Sequence, residues 1–520
     1  MAEQLPALIL LAPLFGALLV GLAGPRDRRV CFPVVLGALA VSLCSAVGVL
    51  VRVLAGGPVD YFVGGWSEPL GIGIQLRVDT LNGLVLVVIA VVFVLVGVFS
   101  IRRAGEENTE KSPQYYTLFL LLAVGVFGMT VTGDAFNLYV LVEVSSLTGY
   151  ALIAMGSSPR GTVAAFNYVV MGTIGASFYL LGVGYLYMAT GALNMAQIHE
   201  IVATTGAGGS RTVLVAFILI LAGLWTKMAF FPLHGWLPNA YGYCPSTSSS
   251  VLAPLVTKVY IYVMIRVMLG VFGAEWIFEH VGWTNIVVWL ATVAILAGSL
   301  LALAQTEVRK MLCYLIVAEV GYMVGGAWLA NRWGMAGAVY HIVADALMTL
   351  CLFLAVNIIV KRTGRLRMDA FDGLFRKMPL TMAGFAVGAL AMIGIPPTAG
   401  FFSKWYLVRG GIESGHFEYV AALLLSSLVN AVLFFRLFER AFFGGNPAGG
   451  HHPDRTAAES GPTQQGWVGD STLLGGEARA STLGPLLAAA ALVVAVGLLN
   501  GPIVSAILRY FENMPVLGAP

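Results

Sequence analysis

Charge is what this sequence lacks. Asp, Glu, Lys and Arg make up 11% of its 520 residues, under half the share of about 25% usual in soluble domains. A soluble fold of this size could not hide so much apolar surface, and a disordered chain would be rich in charge and poor in apolar residues. The net charge of +3 is too small for a nucleic-acid-binding surface, so no nucleic-acid partner is expected. Cysteine is scarce as well. Cys31, Cys44, Cys244, Cys313 and Cys351 are scattered without a CxxC pair, which argues against a disulfide framework or a cysteine metal site. Flavin, iron–sulfur and haem motifs are missing, so no cofactor and no metal are expected. Alternating strands of about ten residues are missing too, which argues against an outer-membrane barrel.

What is abundant is apolar: 58% of the residues, with 62 glycines beside them. A helix needs about 20 mostly apolar residues to cross the hydrocarbon of a bilayer. Such stretches fall near 5–24, 30–51, 80–101, 114–132, 135–155, 162–190, 213–231, 251–273, 284–305, 311–330, 335–360, 382–408, 417–443 and 482–510. The pattern predicts an all-α polytopic membrane protein with about 14 transmembrane helices. The first stretch carries no A-x-A-like site and a second span follows at once, so it is expected to remain as a span.

Basic residues orient the chain. Eighteen Lys and Arg fall in one set of alternate loops and five in the other, which puts the first set in the cytoplasm and both termini outside it. The expected setting is the cell inner (plasma) membrane. The polar stretch 444–481, rich in Gly, Ser and Pro, reads as a flexible cytoplasmic loop, with His451 and His452 a solvated pair in it.

Six basic residues remain inside or beside the spans: Lys227, Lys258, Arg266, Lys404, Arg436 and Arg509. The last two read as side chains that snorkel from helix ends. A charge at mid-bilayer costs about 2.5–3.5 kcal/mol on the insertion scale, so the others need protein or water around them and usually mark an ion path. Glu143 lies mid-span in NLYVLVEVSSLTGYALIA, Lys227 in LILAGLWTKMAFFPLHGWLP and Lys258 in LAPLVTKVYIYVMIR. An acid and two lysines on neighbouring helices form a candidate proton relay, with a static bridge between helices as the bland alternative. The second half repeats the theme: Glu319 in CYLIVAEVGYMVGG, His341 and Asp345 in AVYHIVADALMTL, and Lys404 in IGIPPTAGFFSKWY. His341 and Asp345 stand at i and i+4, so they share a helix face and can exchange a proton or hydrogen bond directly, with packing as the bland alternative for the histidine.

Two of these spans carry breakers. Pro232 follows Lys227, and Pro396 and Pro397 precede Lys404. Proline frees backbone carbonyls, and broken helices are tolerated at membrane depth where they line a hydrated cavity. Recurrence at corresponding places in two halves points to inverted repeats. The predicted organisation is N-terminal helices 1–3 over 1–112, a first five-helix repeat over 113–275 and a second over 276–443. The loop 444–481 and a last helix over 482–520 follow.

The segments GDAFNLYVLVEVSSLTGYALIAMGS (133–157), YLYMATGALNMAQI (185–198), LWTKMAFFPLHGWLPNAYGYCPS (224–246), EVRKMLCY (307–314) and DGLFRKMPLTMAGFAVGALAMIGIPPTAGFFSKWYLV (372–408) resemble the antiporter-like subunits of respiratory complex I, membrane-bound hydrogenases and Mrp-type sodium/proton antiporters. Among these the likeness is to the Mrp-type D subunit. The resemblance implies 14 helices with two inverted five-helix repeats, a polar axis through Glu143, Lys227, Lys258 and Lys404, and a role for His234 in the loop after Lys227. It also implies other membrane subunits as partners and protons, with sodium as the second candidate ion, as cargo. The chain departs from the family pattern at Asn239, where LPDA reads LPNA. On the second-repeat helix Asp345 stands for a histidine and Thr349 for a lysine, and Glu319 stands where many relatives carry His or another polar residue. The first half-channel matches the pattern and the second is rewired.

Three functions compete on these residues. The leading one is an ion-translocating subunit moving protons along a Glu/Lys/His relay. A second is the ion-pumping membrane subunit of a complex I-like or hydrogenase-like redox assembly, with all redox chemistry in partner subunits. A third is a scaffold paralogue whose second half-channel is partly inactive, a reading that Thr349 keeps open.

Overall fold

The computed structural model describes residues 4–66, 73–107, 111–156, 158–444, 476–512 and 514. Its helices, in order, are α1 (Leu5–Ala23), α2 (Cys31–Gly56), α3 (Thr80–Glu107), α4 (Ser112–Val131), α5 (Ala135–Ala154), α6 (Pro159–Thr190), α7 (Met195–Thr204), α8 (Arg211–Lys227), α9 (Leu237–Tyr243) and α10 (Ser246–Val267). They continue with α11 (Thr284–Leu303), α12 (Val308–Trp328), α13 (Arg332–Thr363), α14 (Leu374–Lys377), α15 (Pro379–Ile393), α16 (Ala399–Glu413), α17 (Phe417–Phe443), α18 (Ala480–Leu498) and α19 (Asn500–Phe511). Between α2 and α3 lies a two-stranded antiparallel hairpin, β1 (Val59–Phe62) with β2 (Gln75–Val78), in the register Val59 opposite Val78. His451 and His452 lie outside the described residues, as does most of the expected loop around them.

Twelve of these helices are long and apolar enough to cross a membrane. Two further crossings are interrupted, at Pro232 and at Pro396 and Pro397, whereas Pro13, Pro254 and Pro485 lie inside continuous helices. α8 stops at Lys227, and a turn through Pro232 leads into α9. α15 stops at Ile393 and α16 resumes at Ala399, with Pro396 and Pro397 between them. The last expected span, 482–510, is corrected: it divides at Leu499 into α18 and α19. Gly501 and Pro502 open α19, and proline suits the first turn of a new helix because the missing N–H has no partner there.

Burial sorts the bundle. The most apolar stretch of α13 is wholly buried, and α10 and α12 are nearly so, whereas α1 and α2 expose most of theirs. Lys258, Glu319, His341 and Asp345 therefore sit on the most enclosed helices, while Glu143 lies on α5, about half of which is buried. Around that centre the packing order recurs. α4 packs on α5 and α6 on α8; in the second half α11 packs on α12 and α13 on α16. The α6–α8 contact depends on small residues, the device by which membrane helices approach closely. A Cβ on Gly223 would stand 2.5 Å from the carbonyl oxygen of Gly175.

Candidate functional site

Capping and breaks place the charges. Asp134 caps α5 by accepting from the Asn137 N–H at 2.6 Å, and α5 then carries Glu143, Ser146 and Tyr150 at i, i+3 and i+7 on one face. Lys227 is the last residue of α8, where the negative end of the helix dipole favours a cation. Its Nζ lies 3.6 Å from Glu143 Oε1 and donates to Ser146 Oγ at 2.7 Å and to Tyr150 Oη at 3.5 Å. Lys227 is buried, while the Glu143 side chain is 26% exposed on the outer face of α5.

Lys227 reaches α10 through hydroxyls. Tyr260 Oη lies 3.2 Å from both Ser145 Oγ and Ser146 Oγ. Two residues before it on α10, Lys258 faces the other way. Its Nζ lies 3.0 Å from Asp345 Oδ2, with both side chains almost fully buried. It also donates to the Ala253 carbonyl at 3.1 Å and to Thr349 Oγ1 at 3.5 Å. Thr349 in turn donates to Asp345 Oδ1 at 2.7 Å. The position where the family pattern has a lysine is thus filled by a hydroxyl between a lysine and an acid. The sequence reading grouped Lys258 with Glu143, but its carboxylate partner comes from the second half.

A second cluster surrounds His341. Its Nε2 lies 2.5 Å from Glu319 Oε2 and its Nδ1 lies 2.7 Å from Ser403 Oγ. The other oxygen of Glu319 lies 3.9 Å from Lys404 Nζ. Lys404 donates to the Met392 carbonyl at 2.7 Å and to Ser427 Oγ at 3.2 Å. That carbonyl belongs to the last turn of α15, so the break supplies the acceptor. Gly394 makes room there: its φ of +94° suits glycine, and a Cβ would stand 3.2 Å from Lys404 Cδ. The direct exchange that the spacing of His341 and Asp345 allows is not made. They do share one helix, but each turns to a partner on another: Glu319 of α12 for His341, Lys258 of α10 for Asp345.

Two residues of the sequence reading stand apart. His234, in the turn after α8, stacks on Phe231 and meets the edge of Tyr314. No bond joins it to Lys227 or Lys258 among the described residues. Arg266 is held by Asp79 at 2.5 Å, with Tyr510 of α19 donating to Asp79 at 3.3 Å, so it ties α10 to α3 and α19. Arg436 and Arg509 are exposed near helix ends. Among the described residues no group of His, Cys, Asp or Glu could hold a metal ion.

This geometry sits in a stretch of chain with known relatives. Residues 132–429 match the family described as "NADH:quinone oxidoreductase/Mrp antiporter, TM". The chain belongs to this family. It is 41% identical over 518 residues to the "NADH-quinone oxidoreductase subunit N" of Desulforudis audaxviator (strain MP104C), covering 98% of this chain and 99% of that one. It is 33% identical over 398 residues to the D subunit of the Na(+)/H(+) antiporter of Bacillus subtilis (strain 168), covering 76% and 79%. A chain of the Mrp complex from Dietzia sp. DQ12-45-1b superposes with a TM-score of 0.85 at 25% identity, covering 99% of this chain and 97% of that one. A chain of the archaeal membrane-bound sulfane sulfur reductase superposes with a TM-score of 0.84 at 28% identity, covering 99% and 98%.

Sequence reasoning within this family missed the hydroxyls. Ser146 and Tyr150 were detectable as the i+3 and i+7 neighbours of Glu143, and Ser403 as the neighbour of Lys404. Another polar group lies further along α13, where Asn357 Nδ2 donates to Ser249 Oγ at 3.0 Å, Ser250 Oγ at 2.8 Å and the Ser246 carbonyl at 2.9 Å. Only the seryl run in CPSTSSS hinted at it.

Proposed function

We propose that this chain is a proton-translocating membrane subunit of a hetero-oligomeric complex. It passes protons along Glu143, Lys227, Lys258, Asp345, Glu319, His341 and Lys404, with His234 on the approach. One observation carries this reading: acids and bases inside the bundle pair across helices as Glu143–Lys227, Lys258–Asp345 and Glu319–Lys404, with His341 on Glu319 and hydroxyls extending the first pair to α10. Hydroxyls suit this use because each both donates and accepts. Charges this deep persist in membrane proteins chiefly as ion paths. The helix packing that recurs between the two halves supports the division into repeats over 113–275 and 276–443, with 1–112 and 482–520 flanking them. The distribution of Lys and Arg supports a plasma-membrane setting with both termini outside the cytoplasm.

Two parent assemblies are in view. The relative at 41% identity is named for a quinone oxidoreductase and the one at 33% for a sodium/proton antiporter. In either the chain supplies the ion path, while redox chemistry, where present, resides in partner subunits. The purified complex in sealed vesicles, with a trapped pH indicator, tests both. Proton movement driven by a sodium gradient supports the antiporter setting, and movement only during redox turnover supports the other. No movement under either drive, with the complex intact, overturns the reading.

A further inference from the structure

Away from the ion path, the last turns of α17 border an apolar groove that carries charge. It has a volume of about 800 Å³ and lies between α17 and the α14–α15 segment, with Ala386 of α15 and Phe435, Phe438, Phe442 and Phe443 of α17 among its walls. Phe375 of α14 stacks on Phe442 with ring centroids 3.8 Å apart. Two charged residues line the groove as well, Arg436 and Glu439, both exposed. They stand at i and i+3, where an ion pair could close. Yet neither makes an ion pair or a side-chain hydrogen bond among the described residues.

Their depth matters. α17 has 27 residues, so it is about 40 Å long at about 1.5 Å per residue, against about 30 Å of hydrocarbon. Its last turn therefore reaches the headgroup layer. Arg436 and Glu439 lie one to two turns inside that end, where long side chains lift their charges to the interface while their stems stay in apolar surroundings.

We propose that this groove binds one molecule of phosphatidylethanolamine. An acyl chain lies between the phenylalanine rings, the Arg436 guanidinium meets the phosphate and the Glu439 carboxylate accepts from the primary ammonium. Guanidinium and phosphate match in charge and in fork geometry. Arg440, one turn beyond Arg436, is exposed but does not line the groove, so the groove holds one charge of each sign. That is the pattern of a zwitterionic headgroup. An anionic lipid would leave Glu439 facing like charge, and a choline headgroup has no N–H to give it. A helix of a partner subunit fits poorly, because membrane helices approach each other through small residues. This face of α17 presents Val432, Phe435, Phe442 and Phe443, all exposed, and a flexible acyl chain threads between such side chains.

The test counts lipid on the whole complex. The complex is reconstituted in nanodiscs of equal parts phosphatidylethanolamine, phosphatidylglycerol and phosphatidylcholine, then moved to detergent, and the phospholipid retained per complex is measured by mass spectrometry. Four forms are compared: the wild type, Arg436→Gln, Glu439→Gln and Ala386→Trp, each checked for assembly by co-purification. The expected result is one phosphatidylethanolamine fewer in Arg436→Gln and in Ala386→Trp, which fills the groove and keeps both charges. Glu439→Gln should keep a phospholipid but lose the preference for the ethanolamine over the choline headgroup. Equal phosphatidylethanolamine counts in the wild type and Arg436→Gln would overturn the proposal, whether or not Ala386→Trp assembles. Loss of phosphatidylglycerol instead, or an unchanged preference in Glu439→Gln, would do the same, because the zwitterionic match would then be wrong. A photoreactive benzoylphenylalanine in place of Phe435 is expected to form an adduct with phosphatidylethanolamine. A crosslink to a partner subunit would overturn the proposal and make the groove a protein interface.

Discussion

Lys258 and Asp345 join the two halves of the molecule through a contact of 3.0 Å between side chains almost wholly withdrawn from solvent. Each would be costly alone at this depth, since breaking one partner of a buried pair leaves an uncompensated charge. The resemblance to antiporter-like subunits implies a histidine at 345 and a lysine at 349, and Asp345 and Thr349 stand there instead. Lys258 takes up the partner that those substitutions provide.

Asp345→Asn is expected to abolish proton flux and to destabilise the chain by about 3–5 kcal/mol, the range for breaking a buried pair. The double variant Lys258→Met with Asp345→Leu is expected to regain most of that stability and none of the flux. Thermal unfolding in detergent and flux in vesicles check the two halves of the prediction separately. Normal flux in Asp345→Asn would leave only the first half conducting.

Thr349→Lys restores the residue of the family pattern, yet no gain is expected. The new ammonium would enter beside Lys258, whose Nζ already lies 3.5 Å from the Thr349 hydroxyl, and both would depend on one carboxylate. Two like charges about 4 Å apart repel by about 4 kcal/mol at an effective dielectric constant of about 20. The competitor for Asp345 is Lys258 rather than His341. Reduced recovery of the assembled complex and lower flux per complex are the expected readings, with Thr349→Ser close to wild type on both.

The breaks in the two lysine-bearing spans were legible in sequence because proline acts locally, through its missing N–H and fixed φ. Glu143 and Lys227 were legible for a similar reason, since a charge in a long apolar run stands out against its neighbours. Pairing was not legible. Lys258 and Asp345 lie far apart in the chain, and nothing in the helical repeat says that α10 turns Lys258 toward α13 rather than α5. The i, i+4 spacing of His341 and Asp345 misled for the same reason: it reports a shared face, while the choice of partner depends on what packs against that face. The division at Leu499 was readable in principle, since Asn500, Gly501 and Pro502 form a turn signal that the apolar length of the run masked.

Glu143→Gln is expected to stop flux while the chain still inserts and assembles. The amide keeps the shape of the side chain and removes its charge and its titration. Lys227 retains its bonds to Ser146 and Tyr150, so the α5–α8 contact should survive. Vesicle flux beside co-purification of the partner subunits reads both outcomes. Near-normal flux would favour a static bridge between these helices.

The link from Lys227 to α10 passes through the Ser146 hydroxyl. Ser146 Oγ lies 2.7 Å from Lys227 Nζ and 3.2 Å from Tyr260 Oη, and the Glu143–Lys227 pair is intact without it. Ser146→Ala is therefore expected to lower flux strongly, at a stability cost of about 1.5–3 kcal/mol for a hydrogen bond to a charged group. Ser146→Thr, which keeps the hydroxyl, should recover most of the flux. Tyr260→Phe removes the next member of the same link and leaves Lys227 held. If the hydroxyls form one wire, combining Ser146→Ala with Tyr260→Phe should cost little more flux than either change alone, because a path cut once loses nothing further when cut again. Flux losses that add on the free-energy scale would indicate two independent contributions, and the route from Lys227 to α10 would then run elsewhere.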